Sequence, residues 1–359
     1  MFHPPDRNHR AIRRLAILQH GGILGDSGKT GLSLLRYSHA EVVVVIDRET
    51  AGRSLAELTG LPDMKNTPIV ASVAEALQYS PEALAIGIAP SGGSLPAAWL
   101  DELRLAIRSG VSLWNGLHTP LVADAEIACA VRPGVHVWDM RQEPAGLSVG
   151  TGAARELACK RVLFVGTDMA IGKMTAALEL DRVARRRGLR SKFIATGQGG
   201  MMIAGDGICL DAVRVDYASG AVQAEMMRHG PSHDILWVEG QGSMLNPAST
   251  ATLPLIRGSQ PTHLILVHKS SLKTLRSFKH IVIPPLDRVA AFYETVTAAA
   301  GAFAPAKVVG VALNTWGMSD EEAAKQTEQT AALTGLPCAD VVRARSGAER
   351  LLDAVLADG

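Results

Sequence analysis

Aromatic residues are scarce: 6 Phe, 5 Trp and 4 Tyr among 359 residues. This weighs against a sequence-tolerant nucleic-acid binder, which stacks bases on aromatic faces along a basic groove. An excess of one charge is lacking too. Lys and Arg (36) nearly balance Asp and Glu (35), so no global field draws the protein to nucleic acid or to an anionic membrane. No apolar run approaches the ~20 residues that a bilayer-spanning helix needs. Met1 to Arg14 is polar and has no apolar h-region, so no secretory signal is expected. Cysteine is sparse: Cys129, Cys159, Cys209 and Cys338 stand far apart with no CxxC pair. They read as buried thiols of a reduced, cytoplasmic protein, not as a zinc site or disulfide frame.

What the chain has is glycine (35 residues) and Ala/Val/Leu-rich runs. At ~100–200 residues per domain its length suggests two domains. Strand candidates Leu15–Gln19, Val42–Ile46, Ile69–Ala71, Ala83–Ile88, Val111–Trp114 and Val135–Trp138 alternate with helix candidates Lys29–Tyr37, Val73–Gln78 and Trp99–Ser109. Pro90-Ser91-Gly92-Gly93 is a turn signal, and residues 1–11 are expected to be loosely attached. Such alternation argues for parallel βαβ units, an α/β fold. The aperiodic, Gly- and Pro-bearing stretch Arg141–Gly152 marks a boundary, giving domains over 1–150 and 151–359. The second series comprises strands Arg161–Val165, Ser191–Thr196, Ile235–Glu239, His263–His268 and Lys307–Asn314, helix Lys173–Arg187, and a C-terminal helix from Ala348.

The main chemical signal is Gly166-Thr167-Asp168-Met169-Ala170-Ile171-Gly172-Lys173-Met174-Thr175, set between a β run and an amphipathic helix. Glycines let backbone wrap an anion, the helix N-terminus points N–H groups at it, and Lys173 adds a charge. The match to GxxxxGK[ST] is imperfect. One residue too many separates the glycines, and Met174 occupies the place of the Mg²⁺-binding hydroxyl, with Thr175 one position later. A second loop, Gly22 to Thr30, has the same spacing and a Thr after Lys29. Asp47 then ends the next strand about where a dinucleotide fold puts its ribose acid. Its glycines run GxxGxxG instead of GxGxxG, so this is the weaker candidate.

Glu239 ends an apolar strand before Gly240-Gln241-Gly242, where a P-loop domain places a Mg²⁺-binding carboxylate or a general base. Thr196–Gly207 is glycine-dense, as a ligand-hugging backbone or a lid would be. Gln198 within it, Asp211 and Lys269 are candidate substrate contacts. Asp211 and Asp216 read equally as Mg²⁺ or amine partners and as solvated acids. His268 ends a strand as a candidate base or a buried, hydrogen-bonded histidine. Asn314 ends another, where its amide suits a purine edge or a cap. Arg185-Arg186-Arg187 reads as a solvated helix end.

The C-terminal half resembles the dethiobiotin synthetase branch of P-loop proteins in GTDMAIGK, VEGQGS and GVALN. These are similar to that branch's phosphate loop, acid strand and base-contact strand. The resemblance implies ATP, Mg²⁺ and phosphorylation of a carboxyl or carbamate group. Over roughly residues 13–350 the chain more closely resembles a two-domain family long filed as of unknown function, with members described as D-glutamate N-acetyltransferases. KTGLSLLRYS, VIDRETAGR, GIAPSGG, GLHTPL, VWDMRQEP, GTDMAIGKMTAALEL, TGQGGMMIAGDG, DAVRVDYASGA, GSQPTHLILVHK and IPPL carry this second resemblance, in order. It implies a Rossmann-like N-terminal domain, a P-loop domain, and acetyl transfer from acetyl-CoA to the amine of D-glutamate. The chain departs from the family pattern at Asn246-Pro247-Ala248-Ser249, where His-Pro-Ala-Tyr is expected.

These residues suit three chemistries. A ligase or kinase-like enzyme must hold Mg²⁺, through Thr175 and Glu239 here, so Met174 handicaps it. An acetyl-CoA site needs only phosphate contacts, from Gly166, Thr167, Asp168, Gly172, Lys173, Met174, Thr175 and Asn314. Acetylation also needs a base for the amine: Glu239 first, then Asp216 and His268. A nucleotide-binding switch without catalysis is the third option. A homo-oligomer acting on a small molecule is expected.

Overall fold

The computed structural model describes residues 11–25, 27–88 and 95–357. The Pro90-Ser91-Gly92-Gly93 turn, Asp26 and residues 1–10 lie outside the described residues. The chain divides into two compact units.

The first unit comprises the chain up to Pro144 together with Gln198–Ala212. Its strands are β1 (Arg14–Leu18), β2 (Glu41–Ile46), β3 (Ile69–Val70), β4 (Ala83–Ile86), β5 (Ser112–Asn115) and β6 (Val137–Asp139). They form one parallel sheet in the order β3-β2-β1-β4-β5-β6. That is the order of a dinucleotide-binding fold, with the switch point between β1 and β4. Four of the five β1 residues and five of the six β2 residues are buried. Such continuous apolar runs suit strands covered on both faces.

The second unit comprises Ala145–Gly197 and the chain from Val213. Its strands are β7 (Lys160–Gly166), β8 (Ser191–Ile194), β9 (Ile235–Val238), β10 (His263–Lys269), β11 (Lys307–Asn314) and β12 (Cys338–Ala339). All are parallel, in the order β12-β11-β10-β7-β9-β8. β7 is central, with β9 on one side and β10 on the other, so the loops after all three open at one edge. The helix Lys173–Arg186 buries Ala176, Ala177, Leu180, Val183 and Ala184. A buried polar chain fastens this helix to the sheet: Trp237 Nε1 donates to Ser191 Oγ at 2.8 Å, and Ser191 Oγ donates to Asp181 Oδ1 at 2.6 Å. Arg185 and Arg186 occupy its last turn, where cations complement the helix dipole.

Three features differ from the sequence reading. Gln198–Ala204, within the glycine-dense stretch, is a helix that buries Met201, Met202 and Ile203. Its apolar face outweighs its two early glycines. The sequence pattern predicts no helix at Val215–His229, Thr252–Ser259, Leu286–Ala298 or Asp320–Thr334, yet all four are helical. Their polar faces and low apolar periodicity hide them from pattern reading. Cys159, Cys209 and Cys338 are buried as expected, but Cys129 is exposed.

Candidate functional site

The site is built on the tips of β7, β9, β10 and β11. Gly172 caps the helix Lys173–Arg186 at φ 111°, a left-handed conformation that a side chain would strain. Lys173 is therefore the first helical residue, beside the loop's N–H groups. Its stem passes two glycines: Cβ atoms added at Gly166 and Gly240 would lie 3.4 and 2.8 Å from Lys173 Cδ. A Cβ at Gly240 would also lie 1.7 Å from Phe164 O, so β9 meets β7 here only because position 240 lacks a side chain. Lys173 is 6% exposed, and Nζ donates to Asp168 O at 2.7 Å. Burial lowers its pKa to about 8, against the attraction of Asp168 and Glu239.

Glu239 is 3% exposed. Its Oε2 accepts from Thr196 N at 2.8 Å and Gly197 N at 3.2 Å, and Thr196 Oγ1 donates to Glu239 O at 2.7 Å. The carboxyl is thus pinned to the residues that follow β8. Burial raises its pKa to about 7, opposed by those N–H groups, Gln241 and Lys173. Near neutral pH a carboxyl so placed can lose or hold a proton, as a general base or acid must.

The loop is fixed by its own side chains. Asp168 Oδ1 accepts from Met169 N and Asn246 Nδ2, each at 2.7 Å, and Oδ2 accepts from Arg276 N at 2.7 Å. Asp168 is 1% exposed, so it shapes the loop. Asn246 is one of its holders. Tyr293 OH and Ser243 Oγ both donate to Gly166 O at 2.8 Å. Sequence reading missed Tyr293; nothing in the pattern around it marks a residue that reaches the loop from a distant helix.

Thr167 is fully buried, with Oγ1 2.9 Å from His268 Nδ1. Burial lowers the His268 pKa to about 4, with Lys273 adding to the effect, so the ring is neutral at physiological pH. Asn314 Nδ2 donates to Ile171 O at 3.0 Å, while its Oδ1 accepts from Trp316 N at 3.0 Å. Its amide braces the loop. Met174 and Thr175 lie half-buried in the first helical turn, and Lys269, half-buried, pairs in register with Asn314. Asp216 is exposed in the first turn of Val215–His229. Among the described residues no group of three or more His, Cys, Asp or Glu is placed to hold a metal ion.

Gln198 and Asp211 belong to the first unit. There Gln198 packs on Gly116, and Asp211 pairs with Arg141 and accepts from Cys209 Sγ at 2.9 Å. The Gly22–Thr30 loop differs from the Lys173 loop. Asp47, 1% exposed, accepts from Gly21 N at 2.9 Å, Glu49 N at 3.3 Å and Thr50 Oγ1 at 2.6 Å. A Cβ at Gly28 would lie 1.9 Å from Gly22 O, and one at Gly31 would lie 1.4 Å from Gln19 Oε1. These glycines admit the loop's own backbone and Gln19. Lys29 is exposed, unlike Lys173.

The chain has relatives along most of its length. A domain of unknown function, the DUF1611 P-loop domain, matches residues 148–352, and its Rossmann-like N-terminal partner matches residues 48–143. A protein of Tritonibacter scottomollicae named D-glutamate N-acetyltransferase is 34% identical over 285 residues, 79% of this chain and 84% of that protein. One of the same name from a Pseudoalteromonas species is 33% identical over 276 residues, 76% of this chain and 81% of its own. The crystal structure of a DUF1611 family protein from Anabaena variabilis is 55% identical, with a TM-score of 0.91 over 96% of this chain and 99% of that one. With a Rossmann-like unit, a P-loop unit and these likenesses across both, the chain belongs to the DUF1611 family.

Proposed function

We propose that this protein is an N-acetyltransferase of amino-acid metabolism that moves acetyl from acetyl-CoA to the amine of D-glutamate or a related amino acid. The observation that carries this reading is the name shared by two relatives aligned over most of the chain at 34% and 33% identity. The site suits the donor. Lys173, the loop N–H groups and the helix N-terminus form an anion cradle that works without a metal. Met174 stands where a Mg²⁺-nucleotide site would offer a hydroxyl.

In this reading the pantetheine arm folds back so that the thioester returns to the β9 tip, where Glu239 takes a proton from the substrate ammonium. The amine lone pair then attacks the thioester carbonyl, the C–N bond forms, and the C–S bond breaks. The CoA sulfur leaves as thiolate and takes up the second proton, which the nitrogen sheds as the amide forms. A pKa of about 7 suits Glu239 to this transfer.

A second reading, an ATP- and Mg²⁺-dependent ligase or kinase-like enzyme, draws on one observation: Glu239 lies close enough to Lys173 for each to shift the other's pKa. There Thr175 and Glu239 would hold the metal. Release of CoA thiol from acetyl-CoA and D-glutamate without ATP separates the two readings. Thiol at background across D-glutamate and related amino acids, with ATP consumed in the presence of a carboxylate and an amine, supports the ligase.

A further inference from the structure

We propose that Trp316 is the platform on which the adenine ring of the bound coenzyme or nucleotide stacks. The proposal rests on the reading that the Gly166–Thr175 loop holds phosphates, and adds a subsite for the base. Trp316 is 76% exposed, whereas Trp99, Trp114, Trp138 and Trp237 are 7%, 0%, 8% and 0% exposed. One exposed indole is ordinary in itself; its setting is not.

The indole stands on backbone held from both sides. Trp316 N donates to Asn314 Oδ1 at 3.0 Å, and Thr315 N donates to Asp340 Oδ2 at 3.0 Å. Arg343 Nε donates to Thr315 Oγ1 at 2.6 Å, and Arg343 Nη2 donates to Thr315 O at 3.0 Å. Three residues on, Ser319 caps the next helix with a full capping box. A large flat ring is thus presented to solvent from a fixed stretch of backbone.

Position supplies the rest. Asn314 takes the Trp316 N–H on its oxygen and donates its nitrogen to Ile171 O in the phosphate loop, so one side chain ties platform to loop. β11 lies two strands from β7, about 10 Å at the usual strand spacing. A nucleotide's sugar carries its base about that far from its phosphates. The ring also lies at the strand tips, the edge where open α/β sheets bind ligands. The Asn314 amide keeps one N–H and one lone pair for a base edge, and the neighbouring ring adds a surface for the base's face. Scarce aromatics argue against a nucleic-acid groove, but a single base needs a single ring.

Wild type, Trp316→Ala and Trp316→Phe are titrated with CoA, adenosine 3′,5′-bisphosphate, 4′-phosphopantetheine and pyrophosphate, by calorimetry and by tryptophan fluorescence. The expected result is that the two adenine compounds quench the exposed indole of the wild type. Trp316→Ala then binds both at least about tenfold more weakly, the lower range of a base–aromatic stack. Its affinity for phosphopantetheine and pyrophosphate stays within about twofold, and Trp316→Phe keeps most of the adenine affinity. Equal binding of CoA by wild type and Trp316→Ala, or equal loss of all four probes in both variants, overturns the stack alone. So does a blue shift of the exposed indole with protein concentration and no ligand, which marks a protein partner on the ring. Failure of the wild type to bind any probe overturns the phosphate reading and the stack with it.

Discussion

Lys173 Nζ donates to the carbonyl oxygen of Asp168, five residues back in its own loop, at 2.7 Å. The ammonium is thereby stored inside the loop that it would serve. An incoming phosphate offers a full charge in place of a carbonyl dipole, and charge-assisted hydrogen bonds are the stronger kind.

Lys173→Ala is expected to remove most of the thermal stabilisation that CoA confers. A hydrogen bond to a charged group contributes roughly 1.5–3 kcal/mol, so Kd rises by about tenfold to a hundredfold. Lys29→Ala, at the exposed lysine of the other glycine loop, leaves Kd within about twofold. Differential scanning fluorimetry and calorimetry with CoA check both, and the reverse pattern places the phosphate at Gly22–Thr30.

The Lys173 pKa of about 8 sets a pH limit on binding. Below it the ammonium is charged; above it the free protein loses the proton and must regain it to hold an anion. Affinity for CoA is expected to fall toward about tenfold per pH unit above 8, while Lys173→Ala binds with no such slope. For folding, this depressed pKa makes stability rise between about 8 and the ordinary lysine value of 10.5. Calorimetry from pH 6.5 to 9.5 measures the binding slope.

Glu239 has the opposite sign of shift for an acid. Its pKa rises from 4.5 to about 7, so the folded protein holds a proton that the unfolded chain has released. Its contribution to stability is present below about pH 4.5 and is lost as pH climbs through 7. Glu239→Gln keeps an oxygen for the Thr196 and Gly197 N–H groups and removes the titration. The variant is expected to gain on wild type by up to about 3 kcal/mol between pH 5 and 8. It is also expected to lose acetyl transfer. Denaturant unfolding across pH checks the first outcome, and a thiol-release assay the second.

Gly240→Ala sets a methyl against Phe164 O and the Lys173 stem, where the added Cβ would lie 1.7 and 2.8 Å from them. Overpacking of this kind costs about 1–3 kcal/mol. Because the β9 tip must move from β7, CoA-induced stabilisation should fall with it. Unfolding curves with and without CoA test the pair of effects.

Much of this was legible in the sequence because strand-to-loop junctions write themselves in local residues. The apolar runs Val162–Val165 before Gly166 and Ile235–Val238 before Glu239 mark two strand tips, which the structure pairs as the neighbours β7 and β9. Local signals could not show how side chains would be spent. Asp168 and Asp47 look alike in sequence as acids at strand tips, yet each is bound up by several N–H or hydroxyl donors from its own surroundings. Asn314 reads as a purine contact or a cap; that its amide also holds Ile171 O is not written in the spacing. Tyr293 and Asn246 reach the loop from positions 127 and 78 residues away along the chain, beyond what spacing reveals. The glycine-dense Gln198–Ala204 was opaque for another reason: tertiary burial of Met201, Met202 and Ile203 overrides weak helix propensity.

Acetyl transfer itself is tested most directly by mass spectrometry of purified protein with D-glutamate and [¹³C]acetyl-CoA, in the absence of ATP. The expected product is an N-[¹³C]acetyl amino acid formed in step with free CoA and lost in Glu239→Gln. Unlabelled D-glutamate and related amino acids after exhaustive incubation, with the acetyl-CoA intact, would contradict acetyl transfer.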